Sequence, residues 1–291
     1  MTSRIAYNNP GRNGSLGLPY HYELLADRAR LEPLKQAITL SARGRRVLES
    51  GAGSGILSIL AARSGARIVY ATEPDPNVAQ FTRENVARSG YANIIKVIER
   101  DTRSVTLCEL DGCRVDMVIA EHLSTWQVTE GQVPVMNYVN KNLAEEGAVR
   151  IPEWAENCVE LACSNFRFED VVELRTAYFG FSGIPEPTLL SDPKEAYRVH
   201  FNFVNPTSIR CTVDVKATQS GTVNSLRLTS PLLIFPKIAF QSSDSLVPPV
   251  IIPLEMDVRV SAGDFVEVHI EYECETDWID VRSGVRVMQS R

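Results

Sequence analysis

The stretch Val47-Leu-Glu-Ser-Gly-Ala-Gly-Ser-Gly55 decides the fold. Arg46–Ser50 reads as a short strand, Gly51, Gly53 and Gly55 as a tight turn, and Ile56–Ser64 as the helix that the turn opens. Glycine permits positive φ and has no Cβ to hold a ligand away from the backbone. The spacing is G-x-G-x-G, not the G-x-G-x-x-G of dinucleotide folds. A glycine trio alone is equally explained by a turn made tight for packing, so the flanking segments must discriminate.

They point to an adenosyl ligand. The second strand, Arg67–Ala71, runs into Thr72-Glu73-Pro74, and Glu73 stands 22 residues after Gly51, near the offset of about 20 that a βαβ unit imposes. A carboxylate there accepts hydrogen bonds from ribose hydroxyls. The third strand, Ile94–Ile98, ends at Glu99-Arg-Asp101, where Asp101, with Thr102 beside it, is placed to meet an adenine amino group. Each acidic residue alone is more often a solvated strand-end charge, but three compatible features at successive strand ends imply a cofactor site. Glu49 suits the ammonium of a methionine moiety and would repel the pyrophosphate of a nicotinamide cofactor, the competing reading. The expected cofactor is S-adenosylmethionine, held by Glu49, Gly51, Ala52, Gly53, Gly55, Glu73, Pro74, Asp101 and Thr102.

Val115–Ala120 reads as a fourth strand and Gln132–Leu143 as the next helix, so strands alternate with helices and imply an α/β, Rossmann-like doubly wound parallel sheet. From about Ile151 the texture changes. Asn157–Cys163, Val199–Val204, Ser208–Ala217, Val223–Leu228, Val250–Val258 and Phe265–Tyr272 alternate with period two, as an antiparallel β-barrel or sandwich does. Phe166–Tyr197, with Pro185, Pro187 and Pro193, reads as an excursion of mixed helical character. The expected division is a helical lid over 1–40, a cofactor domain over 41–150, and a β domain over 151–291 with an arm at about 166–197.

With 44% hydrophobic and 23% charged residues in 291, the composition is that of an ordinary globular protein, and a net charge of −6 lacks the basic footprint of a nucleic-acid binder. No apolar run reaches the roughly 20 residues that span a bilayer, and Met1–Leu16 has no signal-peptide core. A cytoplasmic location is expected, with neither membrane nor nucleic acid as partner. The six cysteines include no C-x-x-C pair and the four histidines are scattered, so reduced thiols and no metal site are expected.

Beyond the glycine turn the sequence resembles the protein arginine methyltransferases, over nearly the whole chain. His21-Tyr-Glu-Leu-Leu-Ala-Asp-Arg-Ala-Arg30 is similar to that family's N-terminal helix. The resemblance implies that Arg30 meets the cofactor's carboxylate, which an arginine fork matches well; the plain alternative is an Asp27–Arg30 ion pair on a solvated helix face. Ala120–Glu130 is similar to the family's double-glutamate hairpin, with Glu121 and Glu130 nine residues apart. The resemblance implies that these two grip the methyl acceptor, and that the arm docks on a second subunit to form a homodimer. The chain departs from the family in two places. Ser245-Leu-Val-Pro-Pro249 stands where a Thr-His-Trp motif belongs, and His122-Leu-Ser-Thr-Trp126 replaces Trp-Met-Gly after the first glutamate.

These departures lead to the expectation of a small aromatic acceptor, walled by Tyr7, Tyr20, His122 and Trp126. The type is that of bacterial indole C3-methyltransferases of pyrroloindoline alkaloid pathways, with secondary-metabolite biosynthesis as the setting. Glu121, aided by Tyr7 or His122 and with Glu130 opposite, would be base or orienting group. The alternatives are arginine N-methylation of protein, and a non-catalytic scaffold that binds the cofactor.

Overall fold

The computed structural model describes residues 18–288, with side chains from residue 21 onward. Two helices, α1 (Leu18–Ala26) and α2 (Arg28–Ser41), come first. The segment resembling a single N-terminal helix is thus broken at Asp27, whose carboxylate caps α2 by accepting from the Arg30 N–H at 3.1 Å. Then come β1 (Arg46–Ser50), α3 (Ile56–Arg63), β2 (Ile68–Thr72), α4 (Pro76–Ser89), β3 (Ile95–Ile98), β4 (Val115–Ala120), α5 (Gln132–Asn142) and β5 (Ala144–Ile151). α4 shows why such segments are readable locally: Asp75 caps it, Pro76 opens it and Gly90 closes it at φ +80°.

The five strands pair in parallel in the order β3-β2-β1-β4-β5. The chain turns from one side of the sheet to the other between β1 and β4, and the carboxyl ends of these two strands are where such sheets bind ligands.

The second half is antiparallel: β6 (Trp154–Cys163), β7 (Arg167–Phe168), β8 (Val172–Glu173), β9 (Tyr178–Phe179), β10 (Thr188–Leu189), β11 (Lys194–His200), β12 (Ser208–Lys216), β13 (Gly221–Thr229), β14 (Leu232–Phe235), β15 (Ile238–Phe240), β16 (Val250–Val260), β17 (Phe265–Glu273) and β18 (Arg282–Met288). One sheet runs β15-β14-β6-β13-β16-β9, with β10 and β11 also on β6; a second is β12-β17-β18. Leu226, Leu228, Val250 and Ile252 of the first pack with Val266, Val268 and Ile270 of the second.

Two expectations are corrected. Phe166–Tyr197 has no helix; β9 and β10 join β16 and β6, and only the β7–β8 hairpin stands apart. The strand expected over Val199–Val204 is Lys194–His200. β14 and β15 add apolar residues (Leu232, Ile234, Phe240) to the core that holds Leu34 and Ile38 of α2 and Ile151 of β5, while the two antiparallel sheets keep a second core of their own.

Candidate active site

A cavity opens over the carboxyl ends of β1 and β4. It is lined by His21, Arg30, Glu49–Ser54, Glu73, Pro74, Glu121, His122 and Glu130, with Leu24, Leu25, Ile56, Leu57 and Ile119 as apolar wall. The glycine turn is its floor. Gly51 and Gly53 adopt φ +70° and +54°; a Cβ on Gly53 would stand 2.7 Å from His21 Cε1, and one on Gly51 would run into His122 Cε1. Ala52 is buried, with its N–H donating to the Thr72 carbonyl at 2.8 Å, and Gly55 precedes the first residue of α3.

Glu73 sits at the end of β2, accepting from the Gly53 N–H at 3.0 Å and the Asp75 N–H at 3.1 Å. It therefore fixes the turn as well as facing the cavity. Glu49 is buried beneath the turn and accepts from the Ser58 hydroxyl; burial pushes its carboxyl up to about 8.

Arg30 lies where α2 crosses the cavity. Its guanidinium donates to the Leu24 carbonyl at 3.1 Å and forms a close ion pair with Glu121. The solvated-face alternative is overturned, because Arg30 is 5% exposed. Burial raises Glu121 above the usual carboxylate range, with Arg30 pulling the other way. Glu130 faces the same cavity, and burial together with the Glu121 charge pushes it up to about 8.

The hairpin carrying both glutamates is held from outside. Trp126 and Gln127 take φ +57° and +54°, a conformation costing on the order of 1–3 kcal/mol for each side-chain-bearing residue. The β domain fixes them there. The Ser230 hydroxyl accepts from the Trp126 N–H at 2.7 Å, Asn157 donates to the Gln127 side-chain carbonyl at 2.9 Å, and the Thr125 hydroxyl donates to the Pro248 carbonyl. The Ser124 hydroxyl accepts from the N–H groups of Thr129 and Glu130 at 3.0 and 3.2 Å. Gln132, fully buried at the start of α5, accepts from His122 N–H at 2.9 Å and donates to the Ala120 carbonyl at 2.9 Å, clamping both neighbours of Glu121. Gln132 is a positioning residue that sequence reading missed, and Asp27, read there only as an ion-pair partner of Arg30, caps α2 and accepts from Ser245. A buried glutamine at a helix start carries no sequence signal that would have marked it.

The structure does not bring every expected residue here. Trp126 is corrected: it is buried in the β-domain core, its Nε1–H donating to the Cys158 carbonyl at 3.0 Å and its ring edge-on to Tyr197. Asp101 does not line the cavity; its carboxylate caps the turn Thr102–Ser104 and pairs with Arg103. Thr102 is buried, hydrogen-bonded to the hydroxyls of Ser50 and Thr72. Tyr7 lies outside the described residues, as does the Tyr20 side chain. No cluster of metal-ligating side chains and no membrane-crossing helix occurs among the described residues.

A family model described as ribosomal protein L11 methyltransferase matches residues 31–132. An uncharacterized protein of Methanothermobacter thermautotrophicus is 34% identical over 254 residues, 87% of this chain and 91% of that protein. Protein arginine N-methyltransferase 1 of Oryza sativa is 30% identical over 165 residues, 55% of this chain and 41% of that one. Among solved structures, protein arginine methyltransferase 10 of Arabidopsis thaliana superposes with a TM-score of 0.75 at 15% identity, over 93% of this chain and 97% of that chain. The Trypanosoma brucei PRMT1 enzyme–prozyme complex with AdoHcy gives 0.73 at 16% identity, over 92% and 96%. The donor set fits such a cofactor: a glycine floor, Glu73 for ribose hydroxyls and Arg30 for a carboxylate. The chain belongs to one family with the Methanothermobacter protein, and it is an arginine-methyltransferase-like class I methyltransferase whose methyl donor is S-adenosylmethionine.

Proposed function

We propose that the acceptor is the guanidinium of an arginine in a protein or peptide. The observation that carries this is the pair of carboxylates, Glu121 and Glu130, facing one cavity beside the glycine turn. Two carboxylates match a planar cation with several N–H donors. When bound, the cofactor supplies an electrophilic methyl on a sulfonium. Glu121 then orients the attacking nitrogen and, with Glu130, takes up the proton it sheds, while Arg30 holds the cofactor's carboxylate. The relatives named as arginine methyltransferases support the same acceptor.

The flat aromatic acceptor loses its support. Trp126 is withdrawn into the β-domain core, and no Phe, Tyr or Trp among the described residues lines the cavity. Homodimer formation belongs to the same reading: the β7–β8 hairpin exposes Phe168, Val171, Val172 and Leu174, apolar residues that a second subunit would cover.

Proton linkage tests the acceptor. With its pKa pushed up to about 8, Glu130 keeps its proton at neutral pH, and a guanidinium entering beside it expels that proton. Affinity for an arginine peptide, measured with S-adenosylhomocysteine present, should therefore rise as pH climbs toward 8 and level off above it. Calorimetry at pH 7 in buffers of different ionisation enthalpy should show proton release, absent in Glu130→Gln. Tight binding of an indole amine with no such release would refute the arginine reading.

A further inference from the structure

The His122 ring lies against the glycine turn, so close to Gly51 that a Cβ there would meet it. A chain of buried hydroxyls fixes the ring's proton. The Thr72 hydroxyl donates to the Glu49 carbonyl at 3.0 Å, which uses its only hydrogen. The Thr72–Thr102 contact of 2.6 Å must then be donated by Thr102. The Ser50–Thr102 contact of 2.6 Å must in turn be donated by Ser50, because the Thr102 hydrogen is spent. Ser50 is left able only to accept from His122 Nε2 at 2.8 Å. Each link is forced by the one before it, and Ser50, Thr72 and Thr102 are all buried from competing water.

We infer that His122 is held as its Nε2–H tautomer and presents Nδ1 as a hydrogen-bond acceptor to a donor group of the bound cofactor, its ammonium or a ribose hydroxyl. The inference rests on the cofactor site described above. Burial pulls the ring down to about 4, so it stays neutral at working pH and serves as an acceptor, not as a carrier of protons. The ring covers Gly51, on the cofactor floor, and lines the cavity. It also offers an acceptor that Asp101, committed to Arg103 and absent from the cavity lining, does not.

The tautomer is read directly from ¹⁵N shifts of the His122 ring in the full-length protein, with no substitution needed. The expected signature is a protonated Nε2 and a bare Nδ1. Thr102→Val removes the acceptor of the Ser50 hydroxyl; Ser50 then donates to Nε2, the ring proton moves to Nδ1, and S-adenosylhomocysteine binding falls about five- to tenfold, the worth of one hydrogen bond. His122→Asn, whose side-chain oxygen occupies the Nδ1 position, should keep affinity within about threefold, while His122→Phe shows the full loss. The donor is identified by analogues: the loss disappears for a deaminated homocysteine analogue if the ammonium is the partner, and for a deoxyribose analogue if the hydroxyl is. A wild-type ring protonated at Nδ1, or variants that all bind the cofactor product with unchanged affinity, would overturn the inference while leaving the cofactor site intact. Failure of the wild-type protein itself to bind S-adenosylhomocysteine would instead count against the site.

Discussion

At the glycine-turn end of the cavity, Glu49, Gly51, Gly53, Glu73 and Pro74 come from one contiguous βαβ unit, and the two carboxylates accept from Ser58, Gly53 and Asp75, in that unit or just after it. At the hairpin end, Glu121 and Glu130 depend on partners spread over the chain. Arg30 comes from α2, Gln132 from α5, Asn157 from β6, and Ser230 and Pro248 from segments between later strands. The first end is a local device that any sheet of this kind can carry. The second exists only when the β domain has docked and holds Trp126 and Gln127 in a backbone conformation they would not adopt alone. The donor half can thus stay constant while the acceptor half changes with the β domain.

Substitutions at the two ends should separate cleanly. Glu121→Gln should lower turnover by about 100- to 10,000-fold, the range of lost acid–base and orienting chemistry, while S-adenosylhomocysteine affinity stays within about threefold. Equal losses in rate and cofactor affinity would erase the distinction between the ends. Gly53→Val should do the reverse. A Cβ beside His21, on a residue at φ +54°, displaces the turn and the Glu73 bond, so cofactor affinity should fall by about 100-fold or more in calorimetry. Trp126→Ala should destabilise the fold by about 3–5 kcal/mol in urea unfolding, as for other buried aromatics. The folded fraction at low urea should still bind S-adenosylhomocysteine with an affinity within about threefold of wild type. A surface-like cost below about 0.5 kcal/mol would mean that Trp126 is not part of the β-domain core.

The same contrast explains what could be read from the sequence. Four of the five parallel strands and the glycine floor follow from alternation, capping and spacing within a few dozen residues, and Glu73 follows from its offset to Gly51; β5 (Ala144–Ile151) is not read this way. Asp101 shares that local logic, yet Arg103, two residues on, takes its carboxylate. Trp126 is the sharper lesson. Beside Glu121 in sequence it reads as an acceptor wall, but Cys158, Tyr197 and Tyr272 draw it into the other core, and no local pattern records partners so distant. The two-residue strands in 166–189 are too short to show a period, and the pairing of β9 and β10 is set by the distant β16 and β6.

The most direct test incubates the protein with methyl-labelled S-adenosylmethionine and an arginine-containing peptide, alongside indole amines, and locates the label by fragmentation mass spectrometry. The account predicts label on a guanidino nitrogen of arginine, lost in Glu121→Gln and unaffected by the presence of indoles. Label on a ring carbon of an indole amine, with the arginine peptide left unmodified, would contradict it.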